Sequence, residues 1–328
     1  MSLRKTSASA SAPGKIILFG EHFVVYGSHA ILASINKRIK VNVCLNKKNH
    51  TINIMSNLGI VGSYKDSKFT LVKGEKEGKE ILDLIFKCVS SVLSERKQNL
   101  GININLISDI PYGVGLGSSA ACCVATVAAV DSLFREPNRR WICVKAVECE
   151  RLVHKNSSGA DCYISVFGGL MYYIKDEGFK KIKSKNDSTL IIVNTRMKHS
   201  TGDLVSLVKK FRDQNVLLFI DLTSHADTIC QQALMTINNG DEKKLGELMN
   251  ENHALLQQIG VSNTKIDRAV QICIRNGALG AKLTGAGGGG SIIALIPNES
   301  KMRVISEIEK NRFECIPVKF DYNGLITY

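Results

Sequence analysis

The stretch Pro111-Tyr-Gly-Val-Gly-Leu-Gly-Ser-Ser-Ala-Ala121 constrains this chain more than any other. It follows the alternating apolar positions Ile102, Ile104 and Leu106 and precedes a strongly apolar run from Ser118 to Phe134, so it must turn a strand into a helix. Pro111, with Gly113, Gly115 and Gly117 around Leu116, builds a turn in which few Cβ atoms obstruct the backbone, and N–H groups can approach an anion there. The helix starting near Ser118 adds unpaired N–H groups and the positive end of its dipole. Ser118, Ser119 and Ala120 form its first turn, and the two hydroxyls suit a phosphate oxygen or a Mg²⁺ ion. The spacing is neither GxxxxGK[ST] nor a dinucleotide fingerprint. Taken alone, a Gly/Ser turn capping a helix is also a common structural device.

Two further motifs stand near the ends of the chain. Ser11-Ala-Pro-Gly-Lys15 leads through Ile16–Phe19 into Gly20-Glu-His22; Pro13 and Gly14 are expected to shape a tight entry into a strand, with Lys15 at its beginning and Glu21 and His22 just past its end. Lys282-Leu-Thr-Gly-Ala-Gly-Gly-Gly-Gly290 lies between two short apolar segments. A run so poor in side chains is costly to order, so Gly285, Ala286 and Gly287 either form a close packing turn or let backbone approach a ligand.

Around these motifs the first half reads as strands and helices: alternation at Ile39, Val41, Val43 and Leu45, helical spacing over Ile81–Leu93, helices over Ser118–Phe134 and Arg139–His154, and a strand over Leu170–Ile174. The Lys-, Asp- and Gly-rich segment 175–188 has the composition of a surface connection, and the domain boundary is set there, giving domains 1–186 and 187–328. The second half predicts helices over Thr201–Gln214, Leu217–Ile237, Asp241–Ile259 and Asn263–Asn276, with strands over Ala278–Leu283, Ser291–Ile296 and Cys315–Phe320. Strands and helices without a regular alternating beat indicate an α+β protein.

Composition removes several classes. The longest apolar run, near Ala120–Val130, is far shorter than the roughly 20 residues a membrane-crossing helix needs, and the first residues lack a secretory apolar block. The ten cysteines form no CxxC pair and no zinc spacing; they read as reduced, mostly buried thiols of a cytoplasmic protein. The net charge of +13 favours anionic ligands, yet the basic residues are dispersed and carry no nucleic-acid signature. Neither nucleic acid nor membrane is expected as a partner.

The three glycine-bearing motifs, in this order at the start, middle and end of the chain, resemble the signatures of the GHMP kinase superfamily. Lys15-Ile-Ile-Leu-Phe-Gly-Glu-His-Phe-Val-Val-Tyr-Gly27 is similar to the first motif of its mevalonate kinase branch. The resemblance implies a two-domain fold, N-terminal like ribosomal protein S5 domain 2 and C-terminal ferredoxin-like, and ATP- and Mg²⁺-dependent phosphorylation of mevalonate at its C5 hydroxyl. It implies a catalytic aspartate at Asp161 in Asn156-Ser-Ser-Gly-Ala-Asp161, Lys15 beside the reacting hydroxyl, Mg²⁺ ligands at Ser119 and Glu150, and the triphosphate on the loop from Pro111 to Ala121. Glu21, His22 and Thr201 fall at the substrate. Two positions depart from the family pattern: Ser157 stands where Pro is common, and Cys162 where Asn follows the aspartate. Another acceptor within the superfamily (phosphomevalonate, homoserine or shikimate) or a non-catalytic binding protein on the same fold stays open, as does a homodimer.

Overall fold

The computed structural model describes residues 3–46, 50–75, 78–111, 113–153, 157–174, 177–184, 189–197 and 200–328. Its first layer is a sheet built on two long strands, β1 (Ser7–Phe19) and β2 (Ala30–Asn46), which pair antiparallel. β3 (Ile52–Ser56), β4 (Val61–Lys65), β5 (Lys68–Lys73) and β6 (Gly101–Ser108) extend it in the order β1-β2-β6-β3-β4-β5, while β7 (Leu170–Ile174) pairs with β2 and β8 (Gly178–Ile182) with β7.

Helices α1 (Lys79–Glu95), α2 (Ser118–Asp131), α3 (Arg139–Arg151) and α4 (Ala160–Phe167) accompany this sheet. α2 is its centre: every residue from Ala120 to Asp131 is buried, because small alanines and cysteines let the sheet and the other helices close on all its sides. At its far end the buried Asp131 binds both Arg96 and Arg135, and Trp141 stacks with the same two guanidinium groups.

A second, four-stranded sheet runs β10-β11-β9-β12, all antiparallel, from β9 (Thr189–Asn194), β10 (Gly280–Thr284), β11 (Ser291–Ile296) and β12 (Glu314–Val318). α7 (Glu242–Gln258), α8 (Thr264–Arg275) and α9 (Lys301–Lys310) pack on it, while α5 (Thr201–Gln214) lies against α6 (Val216–Asn239), which bridges α7 and the strands β1 and β2. The last strand, β13 (Ile326–Thr327), returns to pair with β1. Arg38 secures this return by ion-pairing Asp321 and donating to the carbonyls of Ser11 and Gly324. Among the described residues no helix is long and apolar enough to cross a membrane.

The α+β expectation holds, with several local corrections. β1 starts eight residues before Lys15, which therefore sits mid-strand; Pro13 and Gly14 mark a bulge rather than an entry. The polar stretch after residue 60 contains β4 and β5, and the supposed connection after Ile174 contains β8. β5 and β8 carry exposed lysines and so lack the apolar alternation by which strands are read. α9 goes unsignalled in the sequence reading, and α3 is assigned to Arg151, with residues 154–156 outside the described residues.

Candidate active site

The first and second motifs meet along β1. At Gly14 a Cβ would sit 2.8 Å from the Leu116 carbonyl oxygen and 2.9 Å from Ile110 Cδ1, so only glycine admits the loop this close. The Lys15 N–H donates to that same carbonyl at 2.9 Å. Gly117, the N-cap of α2, has φ +71° and packs on the lysine stem; a Cβ there would stand 2.7 Å from Lys15 Cγ. The aliphatic chain of Lys15 thus lies under the phosphate-type loop, and its ammonium emerges beside it.

Gly113 and Gly115 are glycines for a different reason from Gly14. No atom lies within 4 Å of a Cβ built on either, so neither is a glycine because a protein group presses on it. Their φ angles of +75° and +78° are the reason: both occupy the left-handed region, which a side chain would strain. The turn alternates, with Gly113 and Gly115 exposed while Val114 and Leu116 are buried and anchor it to the core. The two glycines therefore present bare backbone to the open side of the loop, where an anion would lie. Pro111 is partly exposed at the exit of the preceding strand, and Ala120 is fully enclosed in the first turn of α2, so it can offer a ligand only its backbone.

The Lys15 ammonium meets Asp161, with Lys15 Nζ 3.1 Å from Asp161 Oδ2. Asp161 occupies the first turn of α4 behind the left-handed Gly159, where the helix dipole favours a carboxylate. The Ser165 hydroxyl, one turn further on, donates to the Pro13 carbonyl at 2.8 Å and fastens α4 to the β1 bulge. The lysine side chain is only 8% exposed and the aspartate 34%, so the acid is the member of the pair that faces solvent.

The third motif closes on the first two from the second sheet. Thr284 Oγ1 accepts from the Ile17 N–H at 3.0 Å and donates to the Ile17 carbonyl at 2.9 Å. Ser291 Oγ donates to the Val114 carbonyl at 3.1 Å. His22 Nε2 donates to the Ala286 carbonyl at 2.8 Å; burial lowers the pKa of this imidazole, which favours the neutral ring with its proton on Nε2. A Cβ on Gly285 would lie 3.9 Å from the Gly115 carbonyl oxygen, so the two glycine loops face each other. Gly285, Ala286 and Gly287 are therefore held against β1 and the 113–117 loop by four hydrogen bonds from named side chains.

Glu21 differs from what its sequence position suggests. Its side chain is 0% exposed and ion-paired to the equally enclosed Lys282 of β10, which also donates to the Leu283 carbonyl. Burial raises the Glu21 pKa and lowers that of Lys282, while the mutual attraction of the pair opposes both shifts. Glu21 Oε1 is committed to the lysine, and among the described residues Glu21 Oε2 has no hydrogen-bond partner. This carboxylate joins the two sheets behind the cleft and is closed to solvent.

Ser118 and Ser119 begin α2 as expected, both partly exposed. Glu150 lies in the last turn of α3 and is buried, not a solvated helix residue. The Ser157 hydroxyl donates to Glu150 Oε2 at 2.5 Å, and the Cys162 thiol reaches the same oxygen at 3.5 Å. Burial pushes the Cys162 thiol up, so it stays a protonated donor rather than a nucleophile. The Glu150 charge is felt at the Cys123 thiol, which lies one helical turn beyond Ser119 on α2. Thr201 is the exposed first residue of α5, a helix set beside the third loop where Leu204 covers Gly288. Among the described residues no polar contact joins Thr201 to the other candidates, and Lys198, His199 and Asn156 lie outside the described residues.

Sequence reasoning did not single out Ser165, and it named Lys282 and Thr284 only as the opening of the third motif, without a role for either. A hydroxyl bound to a distant carbonyl leaves no spacing to read. Lys282 did leave one: a lone lysine inside the buried strand Gly280–Thr284 demands an acidic partner.

Residues 83–169 match the family model for the GHMP kinase N-terminal domain, and residues 232–314 that for the GHMP kinase C-terminal domain. The chain is 36% identical over 301 residues to the mevalonate kinase of Pyrococcus abyssi, covering 89% of each protein. It is 35% identical over 326 residues to that of Thermococcus sibiricus, covering 96% of this chain and 97% of the relative. Among solved structures it superposes on the L. major mevalonate kinase in complex with R-mevalonate with a TM-score of 0.85 and 26% identity, covering 98% and 99% of the two chains.

Proposed function

The chain belongs to the mevalonate kinase family, a branch of the GHMP kinases, and from that premise we propose that its cleft moves the γ-phosphoryl group of ATP onto the C5 hydroxyl of mevalonate through Lys15 and Asp161. The observation that carries this reading is the 3.1 Å contact between Lys15 Nζ and Asp161 Oδ2 at the mouth of the converged glycine motifs. Phosphoryl transfer leaves a protein little covalent work, so positioning and charge neutralisation dominate. Asp161 orients the substrate hydroxyl and accepts its proton as the new P–O bond forms and the bond to ADP breaks. Lys15 stabilises the developing alkoxide and the charge on the transferring group. The N–H groups opening α2, together with the turn from Gly113 through Gly115 to Gly117, hold the phosphate oxygens.

The residues present fit a Mg²⁺ ion carried by the nucleotide. Ser119 and Glu150 supply oxygen donors only, as a hard cation requires, and the described residues contain no group of three or more His, Cys, Asp or Glu able to hold a metal by themselves. Bound there with the phosphates, the ion would supply charge neutralisation on their oxygens. A coupled ADP-release assay with mevalonate, phosphomevalonate, homoserine and shikimate tests the acceptor: turnover on mevalonate alone is expected, and a preference for another acceptor refutes the reading. Asp161→Ala is expected to reduce turnover by orders of magnitude while nucleotide binding stays measurable, and unchanged turnover removes Asp161 from the mechanism.

A further inference from the structure

His22 is held at φ +59° and ψ −49°, outside the regions that residues bearing a Cβ normally adopt. Its neighbours explain why: Glu21 is enclosed with Lys282 and Phe23 has no exposed surface, so turning both inward leaves the residue between them aimed at the third loop and the Ala286 carbonyl. Strain of this kind persists only where the surroundings over-determine the chain. The loop is closed at its base, since a Cβ on Gly20 would stand 2.3 Å from the His29 carbonyl oxygen. Helix α6 then grips it at two points. The Phe219 ring lies edge-on to Tyr26 at 4.9 Å and 6.0 Å from Phe23. About two turns further along the helix, Asp227 Oδ1 accepts from the His29 N–H at 2.8 Å and from the His29 ring at Nδ1 at 2.5 Å, while Gln231 Nε2 donates to Asp227 Oδ2 at 2.8 Å. Tyr172 of β7 stacks on the His29 ring at 5.0 Å. We propose that α6 is a clamp on the 20–29 loop, with Asp227 a positioning residue that, together with Phe219, fixes the strained backbone of His22 and so aims its imidazole into the cleft. The inference rests on the reading of His22 at the substrate and goes further by naming what holds it there.

A strained residue relaxes once a restraint on its loop is lost, and a ring that swings away leaves both the Ala286 carbonyl and the acceptor. Asp227 and Phe219 are not among the groups proposed to meet the reacting hydroxyl, so removing either weakens acceptor binding rather than slowing the bound complex. Asp227→Ala in the full-length protein is expected to raise KM for mevalonate about three- to tenfold, the equivalent of one ordinary hydrogen bond, with kcat within about twofold of the parent. It is also expected to shift the His22 imidazole resonances in the NMR spectrum of the nitrogen-labelled protein. Asp227→Asn, which keeps an acceptor oxygen for His29, should restore the parent values. Phe219→Leu, which keeps the core filled but loses the edge contact with Tyr26, should act in the same direction as Asp227→Ala and carries the test if the alanine variant does not fold. On a His22→Ala background, Asp227→Ala is expected to add no further rise in KM; effects that multiply, or His22 resonances unmoved by both α6 variants, overturn the proposal. His22→Ala alone separates the two readings: if it raises KM for mevalonate while Asp227→Ala does not, the clamp falls and the substrate reading stands. If it leaves that KM unchanged while Asp227→Ala still shifts the ring resonances, the clamp stands and the substrate reading of His22 falls.

Discussion

Lys282→Met should uncouple the two sheets and steepen the dependence of stability on pH that the raised Glu21 pKa already gives the parent. The pair it breaks is fully enclosed on both sides, so neither water nor salt screens the carboxylate left behind. Removing one partner of a buried ion pair costs roughly 3–5 kcal/mol, most of it the burden of an uncompensated charge. At about 2 °C per kcal/mol, the lower end of the range for chains somewhat shorter than this one, the melting midpoint at neutral pH should drop by roughly 6–10 °C. With the lysine gone, the attraction opposing the burial effect is gone too, and the Glu21 carboxyl is left with a pKa raised above its unfolded value. The folded state then binds more protons than the unfolded one between those two values, so stability falls as pH rises through that window and is restored below about 4.5. The single tryptophan, Trp141, stacks with Arg96 and Arg135 in the first unit and gives a fluorescence signal for the melt. Glu21→Gln/Lys282→Met should recover part of the loss and abolish the added pH slope. A Lys282→Met midpoint within about 2 °C of the parent, with no added slope between pH 5 and 8, would refute the claim that this pair bears an unscreened charge.

Gly117→Ala places a Cβ 2.7 Å from Lys15 Cγ on a residue with φ +71°; about 1–2 kcal/mol of backbone strain adds to the clash, and both the melting midpoint and kcat should fall. Ser165→Ala removes the bond that fastens α4 to the Pro13 carbonyl; kcat should fall with KM for ATP little changed, and an unaltered kcat would show that Asp161 is held by packing alone. His22→Ala releases Ala286, so KM for ATP should rise roughly three- to tenfold, the equivalent of one ordinary hydrogen bond, in steady-state assays at fixed mevalonate.

The glycine motifs are legible because a missing Cβ is a statement about the backbone, but the statement differs from one position to the next. Gly14 and Gly117 answer to the approach of loop to strand, whereas Gly113 and Gly115 have open space around them and answer to a left-handed φ. Sequence alone does not separate these two causes. The juxtaposition of Lys15 and Asp161 is not legible from spacing; it follows from the resemblance, and the geometry agrees. Strands β5 and β8 escape because their exposed lysines hide the two-residue period, and β4 because Gly62 and Ser63 leave Tyr64 as its one large buried side chain. Glu21 reads toward the substrate because it adjoins His22, but neighbours in sequence past a strand end need not share a direction: His22 reaches the third loop while Glu21 turns to Lys282.

The site is assembled in two parts. Lys15, Asp161, Ser119 and Glu150 all belong to the first sheet and its helices, joined by the Ser165 and Ser157 hydroxyls. The second sheet contributes the third loop, and the described side-chain bonds tying that loop to the first sheet come from Thr284, Ser291 and His22. The acid–lysine pair is therefore preorganised without the second unit, whereas the position of the third loop, which we propose covers the phosphates, depends on the joint. Weakening the joint at Lys282 should accordingly raise KM for ATP more than it lowers the rate of the bound complex, because Lys15 and Asp161, the groups proposed to meet the reacting hydroxyl, are not the groups that hold the two sheets together.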